Sequence, residues 1–227
     1  MGGGGENTMQ KAIIFDMDGV LFDTERLIGE IWKQLGEREG LSQIDNVFMD
    51  CVGRSYEDTR LVFYRYYGKD FAFVAFREEA RRMFFQVIET EGIPIKQGVN
   101  ELLVYLQEEG YKIGLASSSK KQDILSHLNQ AEIRDYFKVI IGGDQVRQSK
   151  PHPEIYQLAC EQLGGIPHET FCIEDSLNGV RAGIAAGLKV IMVPDLIHPT
   201  PEILAQVHKK CSSLLEVKNY LSNKDKC

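Results

Sequence analysis

Lys11–Thr24 reads KAIIFDMDGVLFDT. Its first five residues form a short apolar run that breaks off at Asp16, the pattern of a buried strand. The same event recurs downstream. Tyr111–Ala116 (YKIGLA) runs into Ser117-Ser118-Ser119, Lys138–Ile141 (KVII) into Gly142-Gly143, and Thr170–Ile173 (TFCI) into Glu174-Asp175. Leu188–Val193 (LKVIMV) is a last strong strand. Helical patterns lie between these runs. Val99, Leu102, Leu103 and Leu106 share a face closed by Gly110, a helix is expected over Lys121–Asn129, and Pro153 opens one carrying Ile155, Leu158, Ala159 and Leu163. A helix rich in small residues follows over Ser176–Ala186. Strands alternating with helices predict an α/β fold, a parallel sheet with helices on both faces.

Between the first strand and the rest the character changes. Leu27, Ile31 and Leu35 fall on one helical face, Ser55 and Asp58 have capping-box spacing, and Gly68 is a helix stop. No strand pattern is visible there. The expected organisation is a tail over residues 1–8, an α/β core from 9–23 and 94–227, and a helical domain over 24–93 grown out of the first crossover. The aromatic residues of that segment, Phe63 to Phe85, read as the core of a small helical bundle.

Composition removes several function classes. The 227 residues carry 26 basic and 33 acidic side chains, a formal charge of −7, which disfavours nucleic acid as a partner. No run approaches the roughly 18 apolar residues that span a bilayer. The five cysteines are scattered without a CxxC pair, so reduced thiols in a cytoplasmic protein are expected. MGGGGENTMQ has neither the basic start nor the apolar run of a signal peptide.

Ligands of open parallel sheets bind outside the carboxyl ends of the strands. Asp16 and Asp18, Ser117, Lys150, and Glu174 with Asp175 all follow strands, so four strand ends deliver polar groups to one rim. Asp16 and Asp18 are two apart and can lean to the same side. Each pair of like charges ~4 Å apart costs a few kcal/mol at an effective dielectric near 20. Protonation, a metal ion or a basic side chain relieves that repulsion. Carboxylate and carbonyl oxygens suit Mg²⁺ rather than zinc. Mg²⁺ shared with a phosphate oxygen, a hydroxyl from Ser117 and an ammonium from Lys150 make a phosphoryl clamp, and one carboxylate stays free to attack phosphorus.

These residues carry a resemblance. DMDGVLFDT (Asp16–Thr24), GLASSS (Gly114–Ser119), SKPHPEIY (Ser149–Tyr156) and CIEDSLNGV (Cys172–Val180) resemble, in order, the four motifs of the haloacid dehalogenase superfamily. The resemblance implies a Rossmann-like core with a helical cap, and a role for each residue. Asp16 would be the nucleophile that becomes an aspartyl phosphate. Asp18 would be general acid and then base, its backbone carbonyl also binding Mg²⁺. Asp175 would be a direct metal ligand, with Glu174 helping directly or through water. Ser117 would hold the phosphoryl group with Lys150, while Ser118 and Ser119 are of the helix-capping type. The substrate would be a small phosphorylated metabolite, and a monomer is the default for capped members.

Within the superfamily two reactions compete. A phosphatase passes the aspartyl phosphate to water. A sugar phosphomutase of the β-phosphoglucomutase type shields it until a sugar arrives, assisted by a histidine and an arginine of the cap. Counted from Asp23-Thr24, the histidine position holds Ile28 and the arginine position holds Tyr56, with Arg54 nearby. Related caps carry substrate-facing groups in that loop, so Arg54 is a candidate for a distal anionic group. A phospho-receiver module would be shorter and would have no helical insert. Dehalogenase chemistry needs no Mg²⁺, against which the Glu174-Asp175 pair speaks.

Overall fold

A computed structural model describes residues 11–224. The expected tail and Cys227 lie outside them. Six strands form one sheet in the order β3-β2-β1-β4-β5-β6, with every pairing parallel. They are β1 (Ala12–Phe15), β2 (Lys112–Ser117), β3 (Val139–Gly142), β4 (Phe171–Glu174), β5 (Lys189–Met192) and β6 (Lys209–Lys210). The chain winds outward from β1 in one direction, returns to β4, and winds outward in the other. The order therefore reverses between β1 and β4, the point at which open parallel sheets bind ligands at their strand ends.

Alternation along β1 builds two cores. Ile13 and Phe15 face a cluster completed by α5 (Val99–Glu108), α6 (Lys121–Gln130) and α10 (Leu214–Lys224). Ile14 faces the other cluster, with α7 (Glu154–Leu163) and α8 (Leu177–Ala185). A strand covered on both faces must be apolar throughout, which is why AIIF is buried at all four positions. The short α9 (Pro201–Leu204) joins β5 to β6.

Four helices separate β1 from β2: α1 (Thr24–Glu39), α2 (Ile44–Cys51), α3 (Tyr56–Tyr67) and α4 (Phe73–Glu91). They enclose a third cluster in which Phe48, Phe63 and Phe76 surround Trp32 with ring centroids 5.1–5.7 Å away. Ser55 caps α3 by accepting from the Asp58 N–H, and Gly68 ends it. The two connections to this insert run side by side. The Asp23 N–H donates to Pro94 O at 2.9 Å, the Lys96 N–H donates to Leu21 O at 2.9 Å, and Phe22 bridges Ile95 antiparallel.

Two details differ from the sequence reading. Glu174 is the last residue of β4 rather than the first after it, so it is held by the ladder. The C-terminal β6, α9 and α10 were not legible, since a two-residue strand of Lys209 and Lys210 has no apolar period.

Candidate active site

The strand ends place their polar residues where the strand order reverses. The Asp16 N–H donates to Ile173 O at 3.0 Å, fixing the end of β1 against β4. Lys150 reaches in from the segment before α7. Its Nζ donates to Asp16 Oδ1 at 2.6 Å, Glu174 Oε1 at 2.8 Å, Tyr156 Oη at 2.9 Å and Ala116 O at 3.1 Å. One oxygen from each of Asp16, Glu174 and Asp175 lies within 4.8 Å of the others. All three residues are buried.

Glu174 is the fixed member. Oε1 accepts from Lys150 and from the Tyr156 hydroxyl at 2.7 Å. Oε2 accepts from the N–H groups of Asp175 and Ser176 and from Ser176 Oγ, each at 3.1 Å. Ser176 is also the N-cap of α8, accepting from the Gly179 N–H. The small residues of α8 thereby gain a reason. A Cβ on Gly179 would come within 1.6 Å of Glu174 Oε1. Gly19 likewise lies against Asp175, where a Cβ would meet Oδ2 at 2.2 Å, and its φ of +78° is a conformation that glycine adopts without penalty.

Electrostatics divides these acids. Burial would raise Glu174, but Lys150 and the hydrogen bonds outweigh it and hold Glu174 below its usual value. Burial would lower Lys150, but Asp16 and Glu174 hold it above its usual value. Asp16 is pushed up to about 8, first by burial and then by Glu174 and Asp18, with Lys150 opposing. Burial, then Glu174 and Asp16, raise Asp175 well above the carboxylate range. With all three carboxylates ionised, one ammonium would leave two negative charges uncompensated, and the upward shifts of Asp16 and Asp175 express that repulsion together with burial. An all-oxygen donor set with that remainder fits a divalent cation.

Asp18 stands at the edge of this group. Its Oδ1 accepts from Thr24 Oγ1 at 2.8 Å and its Oδ2 from Ser119 Oγ at 3.2 Å. Thr24 is the first residue of α1, so the carboxylate is tethered to the insert. Ser117 ends β2, is buried, and accepts from the Ser119 N–H at 3.1 Å. The expectation that Ser118 and Ser119 cap the next helix is corrected. Lys120 is the N-cap residue of α6 without a side-chain bond, and Asp144 Oδ1 accepts from the Lys121 N–H at 2.9 Å. That cap comes from the turn after β3, which frees Ser119 for Asp18.

Arg54 does not touch the buried cluster. It lies exposed between α2 and α3, and its Nε donates to Asp50 O. Its loop does meet the rim. Asn178 Nδ2, in the first turn of α8, donates to Gly53 O at 3.5 Å. Tyr156 was missed as a site residue. It lies within the quoted SKPHPEIY stretch and shares its face with Ala159, Cys160 and Leu163, so a tyrosine on an otherwise apolar face was the available signal.

Buried acids from two strands around one lysine, at the reversal point of a parallel sheet, mark an α/β enzyme. Residues 13–193 match the family of haloacid dehalogenase-like hydrolases, and the chain belongs to it. It is 31% identical over 185 residues to the phosphorylated carbohydrates phosphatase of Thermotoga maritima, covering 80% of this chain and 83% of that one. It is 31% identical over 217 residues to hexitol phosphatase B of Escherichia coli strain K12, covering 91% and 93%. Among solved structures, β-phosphoglucomutase from Clostridium difficile matches with a TM-score of 0.73 at 26% identity, covering 95% and 97%.

Proposed function

We propose that this hydrolase of phosphoric monoesters is a Mg²⁺-dependent phosphatase acting on a small phosphorylated metabolite, a sugar or polyol phosphate in kind. The observation that carries the reading is the buried trio Asp16, Glu174 and Asp175, which when fully ionised holds two negative charges more than Lys150 offsets. Asp16, the Asp18 carbonyl and Asp175 would hold the ion. Glu174, whose oxygens already accept five hydrogen bonds, would help through water. Bound there, Mg²⁺ supplies positive charge against the growing charge of the transferring phosphoryl group.

The chain's own residues do the rest. Asp16 attacks phosphorus in line, and the ester P–O bond breaks as the aspartyl phosphate forms. Asp18 gives its proton to the departing alcohol oxygen. Asp18 then takes a proton from water, which attacks phosphorus, and inorganic phosphate leaves with Asp16 restored. Ser117 and Lys150 orient the phosphoryl oxygens. Residues 24–93 act as the cap that excludes bulk water and chooses the substrate, with Arg54 at its rim-facing loop. All of these groups come from one chain, so a monomer suffices. Among the described residues the cysteines are buried free thiols, in keeping with a reducing compartment. No described helix is long and apolar enough to cross a membrane.

The β-phosphoglucomutase likeness keeps a second reaction in the test. Ile28 in α1 has no proton to give, which supports transfer to water. Phosphate release should be followed over phosphorylated sugars, polyols and nucleotides with Mg²⁺, alongside isomerisation of the same sugars with a bisphosphate primer. The expected result is phosphate release that EDTA silences and Mg²⁺ restores. Fast isomerisation with little free phosphate would replace the phosphatase by the mutase, and activity indifferent to chelation would remove the metal.

A further inference from the structure

A second ionic group lies where the insert joins the core. Asp195 belongs to the loop after β5, and its side chain is 2% exposed. Its Oδ1 accepts from Arg26 Nη2 at 3.0 Å and pairs with Lys96 Nζ at 2.8 Å. Arg26 Nε also meets Asp23 Oδ1 at 3.2 Å. Arg26 lies in the first turn of α1, and Lys96 in the returning connection. One core carboxylate therefore grips both attachments of the insert. Asp195 Oδ2 is buried without a hydrogen-bond partner among the described residues, a cost that packing alone gives no reason to keep.

The first turn of α1 carries two tethers. Thr24 holds the Asp18 carboxylate, and two residues later Arg26 holds Asp195. Glu25 lies between them in sequence and responds to both. Burial first, then the charges of Asp195 and Asp18, push it up to about 7. We propose that Asp195 is a positioning residue for Asp18: by gripping Arg26 and Lys96 it fixes the first turn of α1, and through Thr24 the orientation of the acid. The inference rests on Asp18 being the general acid.

The test uses Asp195→Asn, with Arg26→Gln as a second variant at a side chain 54% exposed and therefore tolerant of change. Nitrophenolate leaves phosphorus without a proton, whereas an alkyl alcohol needs one. In both variants kcat/KM for the best alkyl phosphate should fall about tenfold or more, while that for p-nitrophenyl phosphate changes by less than about threefold. Asp195→Glu should recover part of the loss. Hydrogen exchange at the Asp23 and Lys96 amides should quicken about tenfold in both variants, with the interior of α3 unchanged. Equal losses on the two esters, no loss on either, or unchanged exchange at these amides would overturn the proposal. The exchange arm reads the grip without turnover. No phosphate release by the wild type on either ester would overturn the phosphatase reading and the acid role with it, whereas normal wild-type release with unchanged exchange in the variants would overturn this proposal alone.

Discussion

At the rim of the sheet, Lys150 Nζ lies 2.6 Å from Asp16 and 2.8 Å from Glu174, all three side chains being 10% exposed or less. On the insert, Glu79 lies 2.7 Å from Arg82 and 2.9 Å from Arg38, whose side chains are 63% and 54% exposed. The separations match; the surroundings do not. Water screens the second set, and ordering long side chains offsets most of what attraction remains. The first set has only itself. Removing one partner there strands a charge in a medium that cannot solvate it. Distance alone thus says little about what an ion pair contributes, and the two regions were shaped by different demands. One holds charge in readiness and the other keeps helices soluble.

The sharpest way to break this comparison is Asp16→Asn. The amide keeps an acceptor for Lys150, and Glu174 still pairs the ammonium, so circular dichroism and the urea midpoint should stay near wild type. On the proposed reaction phosphate release should fall by about 10³-fold or more, since an amide oxygen would not replace the carboxylate as nucleophile. Near-normal release would move the nucleophile elsewhere. Next in size is Lys150→Met. With EDTA present, two buried carboxylates lose their shared cation, and urea unfolding should show a loss of about 3–5 kcal/mol. A change as small as that of a surface lysine would mean that the rim is wetter than its burial implies.

A smaller effect belongs to the boundary between the regions. His127 on α6 lies edge-to-face with Phe22 in the connection and Phe84 on α4. Neither ring nitrogen has a hydrogen-bond partner among the described residues, and burial lowers its pKa from 6.5. Below that value the unfolded chain binds a proton that the folded chain refuses, so stability falls as the pH falls and is recovered as it rises. The raised acids Asp16, Glu25 and Asp175 work in the opposite sense, so the effect is read as a difference: from about pH 7.5 to about pH 5.5 the urea midpoint of His127→Leu should rise relative to wild type. An identical pH profile in the two proteins would remove His127 from it. At the small end, Glu79→Gln should leave the urea midpoint and activity within error, despite short contacts to two arginines. A clear loss there would undo the contrast between rim and surface.

The rim was far more legible than its supports. Asp16 and Glu174 could be read because each follows an apolar run, and Lys150, a loop beyond another run, because it stands in SKPHPEIY; β-strand ends of a parallel sheet converge by construction. Tyr156 was hidden by sitting on a helix face whose other members are apolar. The Asp195 network was hidden for a different reason. Arg26 and Asp195 are 169 positions apart, and each alone is an ordinary loop or surface charge. A shorter separation was enough to conceal Asp144, which caps α6 from 23 residues away and so releases Ser119 to Asp18. Local pattern reports what a segment must bury or expose. It does not report which distant partner completes it.

The backbone pairing of residues 21–23 with 94–96 has a consequence for the history of such a chain. Entry to and exit from the helices are stitched together before either helix begins, so the excursion between them closes on itself. β1 and β2 would keep their register if the loop beyond that seam were lengthened, shortened or exchanged for another. Selection could refit the helical insert while leaving the strand ends beneath it unaltered.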